Sequence, residues 1–157
     1  MGKMSSTKYK EISSLVALKI SDFYFGDSPG DIFSKWLYSS QQAESELGTE
    51  LFTEIASCDF SDDREIDDAR RILKAALGDR LYKERAISVA KRMLSGEIDI
   101  SGGCRKLADL AMDAEEIVPI VFVGYASELD RLGDTGHYNE RIRSDLEKLL
   151  QSLSADH

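Results

Sequence analysis

Apolar residues recur at three- and four-residue spacing along nearly the whole chain, and that period admits α-helices and little else. Ile12, Leu15, Val16, Ile20 and Phe23 follow it within residues 8–25, and Gly26 ends the run. The Ser28-Pro29-Gly30-Asp31 sequence reads as a helix start. Ser28 is placed to accept from an open backbone amide, Pro29 wastes no donor, and Asp31 puts negative charge at the positive helix end. The helix that follows carries Ile32, Phe33, Trp36 and Leu37, and over 41–57 Ala43, Leu47, Leu51 and Ile55 recur every four residues. Gly48 lies within that last run at a cost of about 1 kcal/mol relative to Ala, so one helix or two short ones are both open.

Residues 62–78 and 79–96 read as two helices. Asp62 or Asp63 caps the first, Gly78 ends it, Asp79 caps the second and Gly96 stops it. Ser101 opens another helix, bearing Leu107, Leu110 and Ala111. The apolar segment Ile117 to Val123 admits a strand, but Val118, Phe122, Tyr125, Leu129 and Leu132 keep helical spacing and Pro119 suits a first turn. A last helix presents Ile142, Leu146, Leu149 and Leu153 after a Gly133–Gly136 turn. The expectation is one all-α domain over 1–157, of about seven or eight helices, with residues 1–7 and 154–157 flexible.

Several function classes are excluded on chemistry. No run approaches the roughly 18–20 apolar residues of a membrane span, and the first residues lack the apolar core of a secretory signal. Cys58 and Cys104 are far apart, with no CxxC and no neighbouring histidine, which suits reduced thiols in the cytoplasm. His137 and His157 are the two histidines, too few for a histidine-rich metal site. Asp59, Asp62, Asp63 and Asp67 cluster in sequence but lack the D-x-[DN]-x-[DN]-G pattern of an EF-hand calcium loop. Cys104 lies beside Arg105 and Lys106 near a helix start, where a thiolate is favoured, yet no base partner is identifiable. Gly102-Gly103 lacks the spacing of a phosphate-binding loop, and Glu128 and Asp130 face different sides of a helix. The expectation is a protein without catalytic residues, cofactor, metal or membrane contact.

The charge is placed unevenly. Of 29 acidic and 20 basic residues, the window 44–68 takes ten and one, leaving 19 of each elsewhere. Its acids are Glu44, Glu46, Glu50, Glu54, Asp59, Asp62, Asp63, Glu65, Asp67 and Asp68, with Arg64 the single base, so it carries the whole net charge of −9. Glu46, Glu50 and Glu54 fall at i, i+4 and i+8, one stripe of a continuous helix, where like charges repel by a few tenths of a kcal/mol per pair. Such a surface disfavours direct nucleic-acid contact and favours a basic partner. Trp36 and Tyr38 are expected in the core and at its edge.

Two stretches carry a resemblance. Phe33-Ser34-Lys35-Trp36-Leu37-Tyr38 with Leu47-Gly48, Glu50-Leu51 and Ser57, and Gly96-Glu97-Ile98-Asp99-Ile100 with Gly103-Cys104-Arg105-Lys106-Leu107-Ala108, together resemble segments of small helical bacterial proteins. Those are similar to immunity proteins of polymorphic toxin and contact-dependent growth inhibition systems. The resemblance implies a helical protein that binds and neutralises a cognate toxin domain, and it brings no catalytic residue. Joined to the charge, it points to Glu46, Glu50, Glu54, Asp59, Asp62, Asp63, Asp67 and Asp68 meeting Lys or Arg on a nuclease toxin. The alternative is an acidic regulatory or adaptor protein that binds a basic cytosolic partner through the same residues.

Overall fold

The computed structural model describes residues 12–133 and 135–155, and among these nine α-helices and no strand occur. They are α1 (Ser14–Tyr24), α2 (Gly30–Ser39), α3 (Gln41–Leu47), α4 (Thr49–Ala56), α5 (Asp63–Leu77), α6 (Asp79–Leu94), α7 (Ile100–Asp113), α8 (Val121–Leu132) and α9 (Asn139–Ala155). Residues 1–7 and 156–157, expected to be flexible, lie outside the described residues, whereas Ser154 and Ala155 complete α9. The helices pack as two compact units, Met1–Glu84 and Arg85–His157, with the boundary inside α6.

In the first unit α1 packs against α2 and α5, α2 against α3 and α4, and α4 against α5. The apolar stripes meet as expected: Val16, Ala17, Ile20, Phe23, Phe33, Leu37, Ala43, Leu47, Leu51, Ile55, Leu73 and Leu81 are buried in one core. Leu15 and Ile32 are not part of it and stand exposed, because Ala17 and Phe33 take the inward positions of their helices. Phe23 and Phe33 stack with centroids 4.2 Å apart, and Phe60 meets both edge-on at 5.6 and 5.7 Å. The buried Ser21 Oγ on α1 donates to the Leu81 carbonyl at 3.0 Å.

Two local readings are corrected here. Pro29, not Ser28, is the N-cap of α2, and no side chain caps it; Phe33 N–H closes the first turn on the Pro29 carbonyl at 3.0 Å. A Cβ on Gly30 would lie 3.0 Å from the Phe60 carbonyl oxygen, so the glycine lets the α4–α5 loop cross the helix start. Gly48 resolves the other ambiguity. It adopts φ 87° and ψ 151°, a conformation closed to other residues, and divides the segment into α3 and α4.

In the second unit α7 packs against α8, and Leu107, Phe122, Leu129, Ile142, Leu146, Leu149 and Leu153 are buried. Residues 115–120 form a turn on the Ala114 carbonyl, which accepts from Ile117 and Val118 at 3.0 Å, and α8 starts only at Val121. The strand is therefore excluded, and Pro119 precedes the helix instead of opening it. Tyr125 of α8 donates its hydroxyl to Asp145 Oδ2 of α9 at 2.5 Å, and burial followed by this bond pushes its pKa up to about 12.

The Gly102-Gly103 pair has a packing explanation. Asp99 caps α7 by accepting from Gly102 N–H at 3.3 Å, and a Cβ at Gly102 would meet that carboxylate at 2.5 Å. A Cβ at Gly103 would meet Met93 Cγ and Sδ at 2.4 Å. Gly103→Ala should therefore cost about 1–3 kcal/mol by overpacking. Urea unfolding of G103A, M93A and the double variant should show the two costs adding to less than their sum, since shortening Met93 makes room for the methyl.

Candidate functional site

The acidic segment is not one stripe. The turn at Gly48 takes Glu46 off the line of Glu50 and Glu54 and directs it toward the start of α1. There Glu46 Oε1 accepts from Ser13 N–H at 2.6 Å and Oε2 accepts from Gln42 Nε2 at 2.6 Å. Partial burial alone would raise the Glu46 pKa, but these hydrogen bonds, that from the Ser13 hydroxyl and the charge of Arg80 together hold it below the ordinary value. Arg80 reinforces the same corner by donating from Nη2 to the Ile12 carbonyl at 2.7 Å and from Nε to the buried Glu84 carboxylate at 3.0 Å. Glu46 thus secures the entry to α1, and its role is internal.

The other predicted residues divide in the same way. Asp59 Oδ1 accepts from the Ser61 hydroxyl at 2.6 Å and its amide at 2.9 Å, which lowers the Asp59 pKa and closes its own loop. Glu65 Oε1 accepts from Asp59 N–H at 3.0 Å, and Asp62 caps α5 by accepting from Arg64 N–H at 2.9 Å. Asp67 pairs with Arg70 at 3.4 Å and Asp68 with Arg71, each one helical turn on. Those two arginines lie just beyond the window counted from the sequence, so the anionic surface is narrower than its local charge of −9 implied. Glu50, Glu54 and Asp63 remain: all three are exposed, and their carboxylates make no ion pair among the described residues.

Glu54 shares one neighbourhood with Glu65 and Asp68. Cys58, between α4 and α5, is half-buried; burial raises its thiol pKa first, and the charges of Glu65, Asp68 and Glu54 raise it further. The end of α4 and the first turns of α5 therefore converge on one side. Phe60 holds the loop between them, its ring in the Phe23–Phe33 cluster and its flanking residues outside. Tyr38 also differs from expectation. It is 63% exposed, and its hydroxyl donates to the Ala56 carbonyl at the end of α4, so an aromatic face stands at the border of the acids. Its position one step off the Phe33–Leu37 stripe was the sequence signal for that exposure. Trp36 is half-buried against the core as expected.

The remaining candidates carry no site chemistry. Cys104 is fully buried, and Arg105 beside it reaches Asp130 at 2.7 Å. Glu128 pairs with Arg131 at 2.7 Å, so Glu128 and Asp130 are each answered by a different arginine. His137 is exposed in the turn before α9, its ring edge-on to Tyr138. Among the described residues no three His, Cys, Asp or Glu side chains form a group that could hold a metal, and no helix is long and apolar enough to cross a membrane. What the fold and its surface define is an all-α protein with an acidic, aromatic-edged face. Comparison with family models, with curated proteins and with solved structures found no match for the chain.

Two outcomes are expected of this geometry. Glu46→Gln keeps an acceptor for Ser13 N–H but removes the charge and the second acceptor, which faces Gln42. Because the folded pKa is lowered, the contribution of the carboxylate is complete above the ordinary glutamate pKa of about 4.3 and disappears as pH falls through the folded value. Urea midpoints should favour wild type over E46Q near neutrality and converge in acid. Phe60→Ala should cost about 3–5 kcal/mol. Hydrogen exchange should show its loss of protection at the Ser61, Asp62 and Arg64 amides well before that of α1.

Proposed function

We propose that this chain is an immunity protein that binds a cognate nuclease toxin domain and occludes its basic surface, without turnover or cofactor. One observation carries the reading: Glu50, Glu54 and Asp63 present carboxylates that no cation among the described residues answers, beside acids already committed to the fold. Glu50 and Glu54 stand one turn apart on α4, where like charges repel by a few tenths of a kcal/mol; the helix start favours Glu50, and no ion pair among the described residues relieves Glu54. A basic partner would offset it. Nuclease surfaces are basic because phosphate contacts dominate their affinity for substrate, so an acidic face can occupy them in place of nucleic acid. Tyr38 supplies the apolar, aromatic element that interface centres favour, and its hydroxyl bond to Ala56 keeps it ordered before binding.

The three free carboxylates also permit a clean test, since reversing them disturbs no hydrogen bond. The triple variant E50K/E54K/D63K should keep the fold at a cost of about 1–2 kcal/mol in urea, because Glu50 and Asp63 leave first turns where the helix dipole favours an acid. The tagged wild-type protein, bound to its partner from native lysate, should release it as salt rises, and the partner should be a basic domain toxic to cells that lack this chain. The triple variant should bind that purified domain on the order of 100-fold more weakly and fail to rescue those cells. Undiminished binding would remove this face from the mechanism, and capture of a non-toxic housekeeping protein would replace immunity with an adaptor role.

A further inference from the structure

A cleft of about 290 Å³ opens in the second unit, between the turn before α8 and the C-terminal half of α9. Its floor is apolar and belongs to the core: Phe122, Leu149 and Ile117 are buried. Val121 forms part of the wall at 41% exposure, and Ile120 beside it is 50% exposed, so the apolar surface continues outward from the cleft. The charged groups around it are Glu115, Glu116 and Asp145 against Lys148. Tyr125 occupies Asp145 Oδ2, whereas Glu115 and Glu116 are exposed and make no ion pair among the described residues.

We infer that this cleft binds a peptide segment of a partner protein in which one bulky apolar residue is flanked by Lys or Arg. Size and charge both bear on the choice. Ligand and cofactor pockets run from about 300 to 1,000 Å³, so this one suits a single large side chain. An apolar anchor bordered by unpaired acids selects a neutral residue with cations beside it, the arrangement of a buried contact inside a polar rim. A second copy that offers this same face is disfavoured as the occupant because it brings Glu115 and Glu116 against Glu115 and Glu116. The inference does not rest on the immunity reading, and the acidic face of α4 and α5 takes no part in it.

The test uses the full chain, labelled with nitrogen-15, and two blocked tripeptides, Lys-Phe-Lys and Glu-Phe-Glu, each acetylated and amidated. At about 1–5 mM, where contacts of this size register, Lys-Phe-Lys should shift the amides of Ile117, Val121, Phe122 and Leu149 and Glu-Phe-Glu should not. Glu115→Gln with Glu116→Gln should weaken the basic peptide about threefold, and Val121→Ser should weaken it through the apolar wall. Equal shifts from both peptides, or none from Lys-Phe-Lys, would overturn the assignment. So would light scattering that shows a dimer whose interface amides are those of the cleft.

Discussion

The placement of Phe60 is the contact on which the acidic face depends. A loop of Asp, Ser and Asp has no apolar period of its own and every reason to remain in water. One aromatic ring set edge-on against the stacked Phe23 and Phe33 ties it to α1 and α2, and Arg70 of α5 lies over the Phe23 ring, 5.6 Å from its centroid. Aromatic pairs of this geometry add about 0.5–1.5 kcal/mol each to the burial of their surface. The ring fixes where the chain turns from α4 into α5, and hence the direction in which Glu54, Asp62 and Asp63 leave the core. Gly30 is the complement of that contact, because only a residue without Cβ leaves room for the loop backbone against the first turn of α2.

Equal charges around this loop do unequal work. Glu46 and Asp62 accept backbone amides that would otherwise be unpaired, and such charge-assisted bonds are roughly twice as strong as neutral ones. The N-terminal entry is held from two sides in this manner, by Glu46 on the Ser13 amide and by Arg80 on the Ile12 carbonyl. Removing either group would leave a backbone partner unsatisfied, a larger loss than that of an exposed ion pair. The acids of this segment are therefore partly a framework and partly a surface.

That division explains what could be read in advance. Helical spacing placed seven or eight of the nine helices described, leaving 41–57 open as one or two, and picked most of the core, because burial of one face imposes the period directly. Gly48 marked the break between α3 and α4, yet only the left-handed backbone there decides that Glu46 parts from Glu50. Phe60 was illegible: a single apolar residue in a polar loop has no period to register, and its partners lie 27 and 37 residues away in sequence. Ion pairs were legible in principle, since Asp67–Arg70 and Asp68–Arg71 follow the i, i+3 rule; a count that stops at residue 68 separates each acid from its base.

Hydrogen bonding does not discharge a carboxylate, and the consequence for recognition follows from distance. Glu46, Asp59 and Asp62 still contribute to the potential felt by an approaching cation, which extends over a Debye length of about 8 Å at physiological salt. Asp67 and Asp68 contribute much less, because each has an arginine within the same range. At contact the requirement would change: a lysine or arginine of a basic partner would need oxygens that are not already accepting from the fold, and Glu50, Glu54 and Asp63 offer both of theirs, whereas Asp59 and Asp62 offer Oδ2 alone. Encounter and lifetime of a complex on this face would thus draw on different subsets of the same acids. For the basic partner proposed above, the framework carboxylates would set the on-rate along with the free ones, while the off-rate would depend most on Glu50, Glu54, Asp63 and Tyr38.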